Sequence, residues 1–148
     1  MEVREALGGL EVMGVQLRRA YLLSLFAEVC RRAGRIEEGL SALDEALRGA
    51  ERWWNAECHR FKGDLLLTRS AKNLAEAEAC YRAALEVARR QQARSLELRA
   101  ATSLARLWGE RGERRKARNL LAPVYDWFTE GFDTADLKEA KALLDELR

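Results

Sequence analysis

A run of small side chains at helical spacing, between residues 71 and 108, constrains the fold of this chain more than any other feature. Ala77, Tyr81, Ala84, Leu85 and Ala88 recur at intervals of three, four or one, which places them on one face of an α-helix. Small side chains let a second helix approach closely, so this face is typical of a helix that packs between other helices. The pattern predicts stacked helix pairs, and it identifies no substrate or ligand.

The composition is typical of a helical protein and does not indicate a strongly charged binding partner. The 148 residues include a single proline, and 48% are hydrophobic and 34% charged, which is typical of a globular, mostly helical chain. The net charge is +2, from 26 basic and 24 acidic residues. This balance, and the absence of a signal-like or membrane-length apolar run, favour neither nucleic acid nor a membrane as partner.

The three cysteines indicate a reducing compartment. Cys30, Cys58 and Cys80 lie far apart and show no Cys-x-x-Cys spacing. An odd number of thiols on apolar helical faces favours reduced core cysteines in a cytoplasmic protein.

Apolar periodicity and glycine positions divide the chain into helices. Phe26 and Cys30 share one face of an early helix with Leu22 and Val29, and Gly34 ends that helix. We predict one domain, 1–148, that consists of a half-unit helix 1–15, repeats at 16–51, 53–92 and 94–130, and a capping helix 134–148. Because the half-unit has no partner, the chain is expected to start within an array or to be a fragment of a longer protein.

The last part of the chain carries three local signals. Pro123 lies inside a predicted helix, where it removes one hydrogen bond and predicts a bend rather than an end. Thr134 is a suitable N-cap for the capping helix. The inward face of that helix is predicted to carry Leu137, Ala140, Leu144 and Leu147.

Internal comparison reveals a repeat and, with it, a family resemblance. Gly39, Ala77 and Ala117 fall at equivalent positions, 38 and 40 residues apart, and the longer second unit has extra residues in the polar turn at 68–73. The chain resembles the tetratricopeptide repeat family from residue 21 to about residue 128. The matching residues are Leu23, Phe26, Ala27, Cys30, Gly34, Gly39, Leu43 and Ala46 in the first unit, Phe61, Gly63, Leu66, Ala77, Tyr81 and Ala84 in the second, and Ala101, Leu104, Ala105, Trp108, Gly112, Ala117, Leu121 and Val124 in the third.

The resemblance implies a fold and a binding surface. It implies an all-α fold in which antiparallel helix pairs stack as a short right-handed superhelix, although this chain has longer units than usual and lacks the proline that usually ends each unit. In the family, the first helix of each pair lines a concave groove that binds peptides. By motif position, the groove here would be lined by Tyr21, Ser24, Glu28, Glu57, Arg60, Asp64, Arg99, Thr102 and Arg106.

Two interpretations of these groove residues remain open. Arg60, Arg99 and Arg106 could hold an acidic segment, because arginine is suited to bidentate carboxylate contacts. Alternatively, Arg60 and Asp64, four residues apart, pair with each other on a solvated face. A clamp for a carboxyl terminus is less favoured, because the asparagines that such clamps use are absent.

A second resemblance concerns the wider protein. Residues 57–67, 127–134 and 136–140 are similar to the C-terminal repeat region of large bacterial signalling proteins, which join a nucleotide cyclase or regulatory domain to an NTPase and then to such an array. The resemblance implies that this chain is the regulatory end of such a protein, without its catalytic parts.

Catalytic chemistry has little support in the sequence. His59 is the single histidine, so neither a histidine-based metal cluster nor a histidine paired with a nucleophile is available. No glycine-rich phosphate loop is present. Glu37-Glu38 and Glu76 lie where helices start and Arg31-Arg32 and Arg89-Arg90 where they end, so all are expected to complement helix dipoles. We predict no enzyme activity, no cofactor and no metal.

The last expectations from the sequence concern Trp53 and the function of the chain. Trp54 continues an apolar stripe, so Trp53 points elsewhere and either forms a contact surface or packs against the next helix pair. The favoured function is protein or peptide binding in the groove. The alternatives are a small-ligand sensor and self-association as a homodimer.

Overall fold

The computed structural model describes residues 18–49 and 52–148, and these residues contain helices and no strand. The all-α class predicted from the sequence is therefore confirmed. The predicted half-unit at 1–15 lies outside the described residues. The elements are α1 Arg19–Arg32, α2 Ile36–Arg48, α3 Asn55–Arg69, a 3-10 turn Ala71–Asn73, α4 Leu74–Arg90, α5 Arg94–Glu110, α6 Arg114–Asp126 and α7 Ala135–Glu146.

The chain forms two compact units that divide between Cys80 and Tyr81, inside α4. In the first unit, α1 packs against α2, and α3 packs against both. In the second unit, α5 packs against α6, and α7 packs against both. Since only residues 33–35 join α1 to α2 and residues 111–113 join α5 to α6, the helices of each pair are antiparallel. The division falls inside the predicted repeat 53–92, and the single-domain assignment stays a prediction.

Three helices end in the same hydrogen-bonded turn. After α1, Gly34 has a φ of +75°, and the Arg35 amide donates to the Cys30 carbonyl over 2.8 Å. After α5, Gly112 has a φ of +82°, and the Glu113 amide donates to the Trp108 carbonyl over 2.8 Å. The sequence predicted the first of these helix ends, at Gly34. After α4 the left-handed residue is Gln92, with a φ of 54°. Hydrogen bonds across the turn therefore hold a non-glycine residue in a conformation that usually favours glycine.

The predicted core faces are largely confirmed. Ala77, Tyr81, Ala84, Leu85 and Ala88 are all buried. The prediction was wrong for Val29, which is 52% exposed on α1. In the capping helix Leu137, Ala140 and Leu147 are buried as predicted, whereas the predicted Leu144 is half-buried and its neighbour Leu143 is buried.

The signals near the end of the chain have mixed outcomes. Helix α6 continues through Pro123 to Asp126, so the proline does not end it. Thr134 occupies the N-cap position of α7, as predicted, but its side chain makes no capping hydrogen bond. The chain enters α7 through a turn in which the Thr134 amide donates to the Gly131 carbonyl over 2.9 Å.

Candidate functional site

Helix α1 contributes three of the predicted groove residues, and one of them is fully buried. Ser24 donates its hydroxyl to the Tyr21 carbonyl over 2.6 Å and accepts the indole N–H of Trp54 over 2.9 Å. The Tyr21 ring lies edge-on to that indole, with 5.4 Å between centroids. Tyr21 is half-buried, so part of its ring remains at the surface. Ser24 therefore joins α1 to the start of α3 instead of presenting its hydroxyl to solvent.

Glu28 is held by two arginines of its own helix. Arg31 donates to its carboxylate through Nε over 2.9 Å and through Nη2 over 2.7 Å. Arg32 adds a third bond over 3.0 Å. These contacts, with the hydrogen bonds from Arg31 as the largest cause, hold the pKa of Glu28 below its usual value. The carboxylate is thus ionised and already neutralised by neighbours.

On α3, the residues Glu57, Arg60 and Asp64 form one ion-pair cluster. Arg60 binds the buried Glu57 carboxylate in a bidentate manner, over 2.8 and 2.9 Å. It also reaches Asp64 over 3.5 Å, the pairing that the second sequence interpretation describes. Arg60 is therefore engaged by carboxylates of its own helix.

The second unit carries the remaining predicted residues on α5. Thr102 is buried and donates its hydroxyl to the Leu98 carbonyl of the same helix over 2.7 Å. Arg99 and Arg106 reach carboxylates on α7 instead: Arg99 donates to Asp136 over 2.8 Å and Arg106 to Glu139 over 2.6 Å. The structure therefore brings two predicted arginines together along one edge, where α7 supplies their acidic partners.

Helix α7 is attached to α5 and α6 by an apolar face and an acidic flank. Leu137, Ala140 and Leu143 are buried, while Asp136 and Glu139 keep partial exposure in their ion pairs. Burial of the apolar face supplies most of the docking free energy, because half-exposed ion pairs contribute less than about 1 kcal/mol each. Helix α7 is thus an amphipathic helix that carries carboxylates beside its apolar stripe, and both features contact the helix pair α5–α6.

Trp53 is 46% exposed, and its ring lies 5.2 Å from that of Trp54. The indole therefore combines an exposed face with a ring contact to its neighbour. This placement is compatible with both sequence interpretations, so the role of Trp53 as a contact surface stays a prediction.

Burial changes the pKa of two groups that could carry other chemistry. Burial, and to a lesser degree the charge of Lys62, lowers the pKa of His59. Burial also raises the pKa of the Cys80 thiol, which disfavours the thiolate. None of the three cysteines forms a disulfide. Within 18–49 and 52–148, no group of three His, Cys, Asp or Glu side chains could hold a metal ion.

An exposed aromatic cluster in the second unit was missed by the sequence analysis. Trp127 is 54% exposed and Phe132 is 47% exposed, and the Arg94 guanidinium lies 4.9 Å from the centroid of the Trp127 ring. Their segment was singled out only for its resemblance to signalling proteins. The available signal was a run of aromatic and acidic residues, 125–133, without one basic residue.

Comparison with known proteins does not assign the chain to a group. No protein-family model matches it, and no curated protein matches its sequence. In the part of the chain that the structure describes, no helix is both long and apolar enough to cross a membrane. The class that the structure defines is an all-α protein of contacting antiparallel helix pairs.

Proposed function

We propose that this chain is a non-catalytic protein–protein interaction module that binds an acidic segment of another protein along α5. The observation that carries the proposal is the use of Arg99 and Arg106. Each of them binds a carboxylate of α7, and they lie seven residues, about two helical turns, apart on α5. A surface that already selects carboxylates beside an apolar stripe is suited to the same pattern in a partner.

The geometry leaves room for such a partner. The side chains of Arg99 and Arg106 are 37% and 42% exposed, so both remain accessible beside α7. A guanidinium has five N–H donors, more than one carboxylate uses, so a second acidic group can bind Arg106 without displacing Glu139. The first unit offers the half-buried ring of Tyr21 as a separate contact, whereas Arg60 is engaged by Glu57 and Asp64 and is left out. Ser24, Glu57 and Thr102 are buried and are left out of the proposed contact.

We also propose a setting for this activity. The similarity of residues 57–67 and 127–134 to the repeat region of bacterial signalling proteins supports a regulatory role within a larger cytoplasmic protein. The three reduced cysteines agree with that compartment. In this setting the module would bring a partner to catalytic domains located elsewhere in the larger protein.

Peptide selection tests the proposed function. A random peptide library displayed on phage is selected against the immobilised full chain, and enriched peptides are measured by fluorescence anisotropy. We expect acidic peptides whose affinity falls roughly tenfold in Arg106→Gln, the scale of one lost charge-assisted hydrogen bond. Arg115→Gln, at an exposed position on α6, is the matched control and should bind as the parent does. Equal binding by both variants, or enrichment of peptides without carboxylates, would overturn the proposal.

Self-association is a second candidate, and it is favoured by one observation. Leu25 and Val29 lie four residues apart on α1 and are 42% and 52% exposed, so they form a small apolar stripe on one helical face. Two copies could cover this stripe by a symmetric contact. Light scattering over a range of concentrations would then report a dimer, and Val29→Lys would return it to a monomer. A monomer at every concentration would exclude this candidate.

A further inference from the structure

The second unit carries an aromatic surface that the proposed groove does not include. We define the aromatic surface as Tyr125, Trp127, Phe128 and Phe132, which follow one another at the end of α6 and in the connection to α7. The Tyr125 and Phe132 centroids are 6.0 Å apart, and Trp127 meets Phe128 edge-on at 5.2 Å. Two ring pairs therefore stand side by side in sequence, each with one half-buried ring and one largely exposed ring.

The surroundings of the aromatic surface are acidic and uncompensated. Asp126, Glu130 and Asp133 lie between and beside the rings, and all three are exposed. Elsewhere in this unit the carboxylates of Glu97, Asp136 and Glu139 bind arginines. No ion pair joins Asp126, Glu130 or Asp133 to any residue of the described ranges 18–49 and 52–148. Eight residues, 126–133, thus carry three negative charges and no positive one.

One cation already occupies part of this surface. The Arg94 guanidinium lies over the Trp127 ring at 4.9 Å and is held there by a 3.1 Å bond to Glu97. Trp127 is still 54% exposed, so the remaining indole surface faces solvent. Exposed aromatic faces attract cations, and arginine stacks on them while its N–H groups bind carboxylates. An acidic partner would instead place like charges together, and an apolar partner would desolvate unpaired carboxylates.

We propose that the aromatic surface binds an arginine-containing, extended segment of a partner protein. Arginine side chains of that segment stack on Trp127 and Phe132, and their guanidinium groups bind Asp126, Glu130 and Asp133. The net charge of the whole chain is +2. General attraction to the molecule therefore does not account for the binding of a basic peptide, and the local charge and rings must supply it.

The probe is a labelled peptide of alternating arginine and glycine, with an aspartate–glycine peptide as its counterpart. Binding to the full chain is followed by fluorescence anisotropy at low and at physiological salt. We expect the arginine peptide to bind and the aspartate peptide not to bind. Trp127→Ala and Phe132→Ala should each weaken the complex by roughly two- to fivefold, the size of an exposed cation–aromatic contact. Glu130→Gln should also weaken the complex, and by a larger factor at low salt than at high salt.

Two matched variants make the result specific. Trp53→Ala removes an exposed indole from the other unit, and Glu110→Gln removes an exposed carboxylate of the second unit outside the aromatic surface. Both should bind the arginine peptide as the parent does. If Glu110→Gln weakens binding as much as Glu130→Gln, or if the Trp127 and Phe132 variants bind normally while their circular dichroism melts are unchanged, the proposal is overturned.

A third measurement separates a partner protein from a second copy of the chain. If light scattering shows a dimer that Trp127→Ala disrupts, the aromatic surface is an interface between two copies of the chain. That result would overturn the proposal of a separate partner protein. The groove experiment uses acidic peptides and Arg106, so either proposal can fail without the other.

Discussion

Ser24 on α1 accepts the indole N–H of Trp54 over 2.9 Å, across thirty residues of sequence. The same hydroxyl donates to the Tyr21 carbonyl, so this buried group is both a donor and an acceptor. This pair connects α1 to the first residues of α3, beside the half-buried ring of Tyr21. A residue that belongs by motif position to a binding groove is therefore a structural link.

Replacing Ser24 tests this link. Ser24→Ala should lower the free energy of unfolding by about 1 kcal/mol, because the Trp54 N–H loses its acceptor in a place that water reaches only partly. Thr102→Val is the matched variant: its hydroxyl serves only a carbonyl of its own helix, so it should cost less. Urea unfolding monitored by circular dichroism provides both values. A larger loss for Thr102→Val than for Ser24→Ala would contradict this account.

Gly39 marks a close approach between helices in the first unit. A Cβ at this position would lie 3.2 Å from the Cys30 Cβ and from both methyl carbons of Leu65. We expect Gly39→Ala to destabilise the protein by about 1–3 kcal/mol, because overpacking outweighs the better helix propensity of alanine. At Gly109 the added Cβ would meet only the end of the Leu147 side chain, at 3.0 Å. Gly109→Ala should therefore cost less in the same urea experiment, and a smaller cost for Gly39→Ala would refute the argument.

Helix packing faces could be predicted from the sequence, whereas the burial of polar residues could not. The small faces at Gly39, Ala77 and Ala117 could be predicted because helical periodicity is local, and all three residues are buried. The burial of Ser24 and Glu57 could not, since it depends on Trp54 in another helix and on an ion pair that neutralises a carboxylate. Polar residues at helical spacing look alike in sequence whether they line a groove or close a core.

The exposed side chains were harder still to predict. Val29 fits the apolar stripe of α1, yet its side chain is exposed to solvent. The prediction failed here because the sequence pattern does not say which edge of the stripe a neighbouring helix covers. Trp127 and Phe132 lie where α6 has ended, so helical periodicity no longer assigns their faces. Their exposure follows from the path of the connection to α7, which only the structure provides.

The ion pair between Glu57 and Arg60 should be worth more than its surface equivalents. Glu57 is 2% exposed and Arg60 is 19% exposed, so little solvent screens the pair. Arg60→Ala should destabilise the protein by about 3 kcal/mol, because it removes the bidentate partner of a buried carboxylate. The Glu57→Gln/Arg60→Gln double variant should recover part of that loss, since no charge is then buried.

The variant Arg35→Ala is the control for Arg60→Ala. Arg35 binds Glu38 with the same three-residue spacing but on an exposed face, so Arg35→Ala should change the unfolding midpoint far less. Urea unfolding of the three variants provides the comparison. Similar losses for Arg60→Ala and Arg35→Ala would mean that burial does not strengthen the Glu57 pair.

His59 should make the stability of the protein depend on pH near neutrality. Burial, with a smaller effect from Lys62, lowers the pKa of His59 below its usual value of 6.5. Between the folded and the unfolded pKa values the unfolded chain binds more protons, so the free energy of unfolding rises with pH there. Stability is fully present above the unfolded pKa and is lost as the pH falls through the folded one. We therefore expect a lower urea midpoint at about pH 5.5 than at about pH 7.5.

Two variants separate His59 from other titrating groups. His59→Gln should remove most of the pH dependence in this window, because the lowered pKa values of Glu28 and Asp145 place their titration below it. Lys62→Gln should keep most of the dependence, since burial is the larger cause of the shift. A parent protein that is equally stable at both pH values, or a His59→Gln variant that keeps the full difference, would show that the histidine is not buried as described.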